Sequence, residues 1–181
     1  MTWTELKHEI YYRDGSLRDM LVLRADRQDW KKWIDYVNEN YRVKWYNGKV
    51  DRYEDRIDIG IIEEYWNGEH DLSSIASVFI DEIVINAYLA DESEIENDIC
   101  PKEFDSLKDH EKLMKFMTDL ARILDKEVIL TPENEKETVL IRIEQGGKGY
   151  TIVSVNALRG STPYTNLGIK SPCVHPGIGI S

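Results

Sequence analysis

The chain has 181 residues, with 34 acidic side chains against 23 basic ones for a formal charge of −11, and it is 41% hydrophobic and 10% aromatic. That is enough apolar material for the core of one domain, and the acidity argues against clustered Lys and Arg gripping a nucleic-acid backbone or an anionic membrane. The longest apolar runs, such as Ile75 to Ile80, fall far short of the ~18 residues a membrane span needs.

In chain order, residues 7–13 read as a strand and Asp14-Gly15-Ser16 as a turn, since glycine supplies the positive φ of a tight hairpin. Residues 17–24, with Met20-Leu21-Val22-Leu23, form the expected returning strand. Asp26 is a candidate N-cap, with Asp29 three residues on. Trp30, Trp33, Ile34 and Val37 then share one face of a predicted helix ending near Asn40. Arg42 to Tyr46, Asn47-Gly48 and Lys49 to Tyr53 read as a hairpin with a two-residue type I′ turn. Residues 56–63 alternate and predict another strand, with a turn at Asn67-Gly68. Ile75 to Ile80 and Ile83 to Leu89 are β-branched, nearly continuous apolar runs, expected as central strands buried on both faces.

The acidic run Asp91, Glu92, Glu94, Glu96 and Asp98 reads as a self-repelling, solvated loop. Ser106 and Asp109 cap a second predicted helix, in which Leu113, Phe116, Met117, Leu120 and Leu124 share a face. Val128 to Leu130 is a short strand stopped by Pro132, and residues 138–143 and 150–155 form a hairpin around Gly146-Gly147-Lys148-Gly149. The expected fold is α+β: a single domain over residues 1–158, a largely antiparallel sheet of hairpins and two amphipathic helices. Residues 159–181, with Pro163, Pro172 and Pro176, are expected as an irregular tail in which Tyr164, Leu167 or Ile169 finds a groove.

Charge is unevenly spread. Residues 1–144 carry −14, while residues 145–181 hold Lys148, Arg159 and Lys170 without an acid and carry +3. The acids therefore belong to the folded body and peak at 91–98, where they either keep the protein soluble or steer a basic partner.

Catalytic patterns are missing from the sequence. There is no GxSxG, and Cys100 sits beside the acidic run, where a thiolate is disfavoured. His175 lies near Cys173 between two prolines, as expected of a tail turn. The acidic run lacks the central glycine of a calcium loop, and His70 and His110 each supply one ligand where zinc needs pairs. Gly146 to Gly149 lies between strands, so no helix N-terminus is present to hold a phosphate. No metal or cofactor is implied. The aromatic residues Trp45, Tyr46 and Trp66, in or beside hairpins, are candidate interface anchors. The two cysteines form no CxxC, and Met1-Thr2-Trp3-Thr4-Glu5 lacks a signal-peptide pattern, so a reducing cytoplasm is the expected setting.

Residues 85–101, with the acidic run ending at Cys100-Pro101, lead into His110 to Met117 and then Lys126 to Asn134, with Thr131-Pro132-Glu133-Asn134 closing a strand. This order resembles small acidic bacterial proteins of the polymorphic-toxin immunity kind. The resemblance implies a non-enzymatic cytoplasmic protein that neutralises a toxin domain by binding it, and it carries over no functional residue.

Two functions follow as expectations. The first is a binding protein whose partner is basic, a candidate toxin domain, docking through Asp91, Glu92, Glu94, Glu96, Asp98, Trp45, Tyr46 and Trp66. The alternative is a small-molecule-binding or hydrolytic enzyme built on Glu63, Glu64, His70 and Asp71, which cluster with Tyr65 and Trp66 near a turn.

Overall fold

A computed structural model of the chain describes residues 1–72 and 74–153. The expected tail at 159–181, with Cys173 and His175, lies outside them. The elements are α1 (Trp3–Glu9), β1 (Arg18–Leu23), α2 (Arg27–Asn40), β2 (Arg42–Asn47), β3 (Arg52–Glu54), α3 (Ile59–Trp66), β4 (Ile75–Ile80), β5 (Ile83–Tyr88), β6 (Glu94–Ile99), α4 (Leu107–Leu124), β7 (Val128–Pro132), β8 (Ile141–Ile143) and β9 (Tyr150–Ile152). One nine-stranded sheet runs β3-β2-β4-β5-β6-β1-β7-β8-β9, and every described pairing is antiparallel. The fold is a single α+β domain, with four helices among the described residues where two were expected. None of these helices is long and apolar enough to cross a membrane.

The helices α2 and α4 form where the sequence predicts them. Asp26 and Asp29 make a reciprocal capping box, and Ser106 accepts from the backbone N–H of Asp109. Trp30, Trp33, Ile34 and Val37 of α2, and Leu113, Phe116, Met117, Leu120 and Leu124 of α4, are all buried in one core cluster. They meet alternate sheet residues: Met20 and Val22 of β1, Ile85 and Ala87 of β5, Ile95 and Ile99 of β6, and Val128 and Leu130 of β7. Leu21, Val84 and Ile129 are buried as well but stand outside that cluster, on the opposite face.

Four expectations change. Residues 3–9 are helical, because Thr2 and Glu5 form a capping box and Leu6 and Ile10, four residues apart, enter the core; the β-rich run at 10–12 follows the helix. Residues 59–66 are helical too, started by Asp58, whose side chain accepts from Gly60 N–H. So short an apolar alternation does not separate helix from strand by its period. The β2–β3 connection is four residues long, Gly48 to Asp51, and not two: the buried Asn47 side chain accepts from Lys49 N–H, and Asp51 takes the left-handed conformation at φ 52. Finally, β5 is buried on both faces but β4 alternates, leaving Ser77 and Phe79 half-exposed.

Arg18, fully buried at the start of β1, fixes how the N-terminal segment meets the sheet. Its Nε donates to Ile10 O at 2.9 Å, Nη2 to Tyr12 O at 2.9 Å, and Nη1 to Leu17 O at 2.7 Å and Ser16 O at 3.3 Å. The guanidinium also lies 4.1 Å from the Tyr12 ring centroid. A planar fork of five donors suits such a set of carbonyls. Replacing Arg18 by methionine retains bulk and strands these acceptors. Urea denaturation should show a loss of about 3 kcal/mol of unfolding free energy; a loss below about 1 kcal/mol would contradict this role.

Candidate functional site

The acidic run is a solvated turn only at Asp91 and Glu92. Residues 94–99 are a strand paired on both sides, because Ile95 and Ile99 turn into the core and carry Glu94, Glu96 and Asp98 to the other face by the two-residue period. Across the sheet, Ser77, Asn86, Asp98, Asp19 and Thr131 are consecutive Cα partners on β4, β5, β6, β1 and β7. One step along, Tyr88, Glu96, Leu21 and Ile129 form the next row. Both rows lie on the face away from the helical core.

From β4 to β6 the first row is hydrogen-bonded from strand to strand. Ser77 Oγ donates to Asn86 Oδ1 at 2.9 Å and Asn86 Nδ2 to Asp98 Oδ1 at 3.0 Å, while Tyr88 OH donates to Asp98 Oδ2. Asp98 and Asn86 are both buried. Asn86 thus joins a serine to a carboxylate. Asp19 is buried beside Asp98, and its Oδ2 accepts from Asn134 N–H at 2.7 Å. Burial pushes the Asp19 carboxyl up to about 6; the Asn134 N–H opposes this, and the charges of Glu96, Asp98 and Glu133 add to it. Burial raises Glu96 as well, with Glu94, Asp98 and Asp91 adding and Lys136 opposing.

The β7–β8 connection lies over this face. Asn134 meets Asp19 near one end of β1, and Lys136 pairs with Glu94, whose Cα partner is Leu23 at the other end. Far along the same face, on β2, Arg42 lies 3.5 Å over the Phe79 ring and Lys44 4.2 Å over the Tyr53 ring. The face is therefore polarised, with acids on β6 and β1 and bases on β2.

The turn between β5 and β6 is held by two indoles. Trp30 Nε1 donates to Asp91 O at 2.9 Å and Trp66 Nε1 to Leu89 O at 3.1 Å. Arg27, at the start of α2, pairs with Glu92, donates to Asn67 Oδ1 at 2.7 Å and lies over Trp66. Asp91 accepts from both Ser93 N–H and Ser93 Oγ, which hold its carboxyl below the usual range.

The predicted partner-binding residues therefore separate. Asp91 and Glu92 are exposed, and Glu94 and Glu96 are half-exposed. Asp98 is buried within the polar row. Trp45, at 0% exposure, points into the core and offers no surface. Trp66 positions the turn, and the half-buried Tyr46 OH donates a hydrogen bond to Asp51 Oδ1 at 2.7 Å. Sequence reasoning missed Asp19, Tyr88, Lys136 and Leu21. The signal for the strand was the spacing Glu94-x-Glu96-x-Asp98 interleaved with Ile95 and Ile99.

The residues of the alternative cluster make separate contacts. Glu64 pairs with Lys49, His70 Nε2 lies 3.3 Å from Ile61 O, and among the described residues no hydrogen bond links Glu63, Glu64, His70 and Asp71. Groups of three or more His, Cys, Asp or Glu able to hold a metal are likewise absent among the described residues. No family model matches the chain, and neither a curated protein nor a solved structure matches it.

The buried titratable groups make a pH prediction. Asp19 holds its proton more tightly folded than unfolded, so its contribution to stability rises as pH falls from about 6 toward 4. His110, whose Nδ1 lies 2.8 Å from Tyr11 OH, is held down to about 4 by burial, with the N-terminal ammonium adding, so its contribution falls over much of the same interval. The two oppose each other and mask one another in the wild type. Asp19→Asn removes the first: urea titrations should find the variant more stable than wild type at neutral pH, with the difference gone near pH 4. A difference that stays constant with pH would contradict the assignment.

Proposed function

We propose that this chain is a non-enzymatic cytoplasmic binding protein of the immunity kind, neutralising a basic partner, a candidate toxin domain, through the acidic half of its helix-free sheet face. One observation carries the reading: the β5–β6–β1 register gathers Asp19, Glu96 and Asp98 on one face beside Glu94 and Asp91, with Lys136 as the cation set among them. Like charges held together in a partly desolvated setting raise one another's proton affinity, and an incoming cation relieves that repulsion. The order of acidic run, helix and Thr-Pro-Glu-Asn strand end, which resembles immunity proteins, supports the same reading.

The exposed acids of the turn, Asp91 and Glu92, supply long-range steering, and the half-exposed Glu94 and Glu96 are the groups a basic side chain meets on contact. The bases on β2 repel a cationic partner and restrict its footprint to the β6–β1 side.

Co-expression with the product of the neighbouring gene is the direct trial. A complex should co-purify, and its association should slow steeply as salt rises. Neutralising Asp91, Glu92, Glu94 and Glu96 together (D91N/E92Q/E94Q/E96Q) should reduce the association rate at low salt by about tenfold and flatten its salt dependence. An unchanged rate and salt slope would reduce the acidic face to solvent dressing, and a free protein that leaves its neighbour's toxicity intact would refute the reading.

A further inference from the structure

Four six-residue strands, β2, β4, β5 and β6, lie side by side in the sheet, and their residues on the helix-free face sort by charge. From β2 outward, one row is Lys44, Ser77, Asn86 and Asp98, and the next is Tyr46, Ile75, Tyr88 and Glu96. A third begins Arg42, Phe79 and Val84. The bases stand on β2 and the acids on β6, while β4 and β5 set only uncharged side chains between them. Ile75, Phe79 and Tyr88 in that middle are half-exposed and stand outside the core cluster. Glu96 is half-exposed too, and among the described residues it makes no hydrogen bond or ion pair; Lys136, the cation that acts on it, is bound to Glu94.

Reversed, each row complements itself. A two-fold axis running along the strands between β4 and β5 turns a second copy onto this face, with β2 of each over β6 of the other and β4 over β5. Ile75 then lies over Tyr88 of the second copy, Phe79 over Val84, Ser77 over Asn86 and Lys44 over Asp98. Asp98 is buried, so the acid that Lys44 meets is Glu96, one row along. That offset is about 6.8 Å, within the reach of a lysine stem. An axis running across the strands would instead set β2 over β2 and β6 over β6, base on base and acid on acid. Charge therefore fixes the orientation. It also favours this occupant, because a second copy carries the required order of base, apolar middle and acid by symmetry.

We infer that this face pairs with a second copy of the chain, held by Lys44 against Glu96 at either end and by Ile75, Phe79 and Tyr88 between. The inference goes beyond the docking reading and does not rest on it. Both surfaces use Glu96, so a basic partner and a second copy compete for it. Four six-residue strands present about 400 Å² of sheet per copy, about half of what a stable complex buries. The net charge of −11 on each copy also opposes association. The pair is therefore a weak one that forms as concentration rises.

Sedimentation velocity of the full chain from about 5 to about 500 µM tests this. The wild type should pass from monomer to dimer, and amide NMR over the same dilution should shift β2, β4 and β5 while leaving α2 and α4 unmoved. Lys44→Glu and Glu96→Lys, each alone, set like charges against each other at both ends and should weaken dimerisation about tenfold or more. An equimolar mixture of the two variants should restore it. In the mixed pair the substituted positions face each other at one end and the native ones at the other, so both ion pairs are present. A wild type that stays monomeric throughout, shifts confined to another face, or a dimer that neither substitution weakens would overturn the inference. So would a mixture that associates no better than its parts. If Glu96→Lys does not fold, the wild-type dilution and Lys44→Glu decide. Each of these failures leaves acidic docking intact, because that reading is tested with the neighbouring gene's product.

Discussion

Antiparallel pairing of β6 with both β5 and β1 is the constraint on which the rest of this structure depends. It commits Ile95 and Ile99 to the helical layer, and the two-residue period then leaves Glu94, Glu96 and Asp98 no position except the opposite face. A shift of one residue would bury three carboxylates among Trp30, Phe116 and Leu120, so the register is strongly specified. The energetic strain of gathering acids is met locally. Asp98 is satisfied by Asn86 and Tyr88, Asp19 by Asn134, Glu94 by Lys136 and Glu92 by Arg27.

The division of labour between the two faces follows from that register. One face holds the aromatic and aliphatic core beneath α2 and α4, where Trp45 also lies. The other holds an ordered polar row, a cleft over Leu21 and Leu23, and the bases Arg42 and Lys44 on β2. Placing acids on strands gives them fixed positions, and the Trp30 and Trp66 indoles do the same for the turn that carries Asp91 and Glu92. Fixed charges retain more of their interaction with an incoming group, because less side-chain freedom is lost on contact.

Much of this was legible in the residues. The two amphipathic helices announced themselves through caps and spacing, and the β2–β3 and β8–β9 hairpins through the Asn and Gly at their turns. The N-terminal helix was hidden because Ile10-Tyr11-Tyr12 has strand chemistry, while its own signal, the Thr2–Glu5 box, spans only four residues. The strand β6 was hidden because three acids and an asparagine outweigh two isoleucines on any local scale; only the neighbouring strands make its pairing favourable. The acids were visible as a run, but Asp19 and Leu21, distant in the chain, join them only through the fold.

The most direct trial of the account is hydrogen exchange of the full chain, free and bound to the product of its neighbouring gene. The account predicts slowed exchange on binding in the β5–β6 turn, β6, β1 and the 133–137 connection, with α2 and α4 unchanged. Protection confined to α2 and α4, with the acidic strand and its neighbours unaffected, would contradict it.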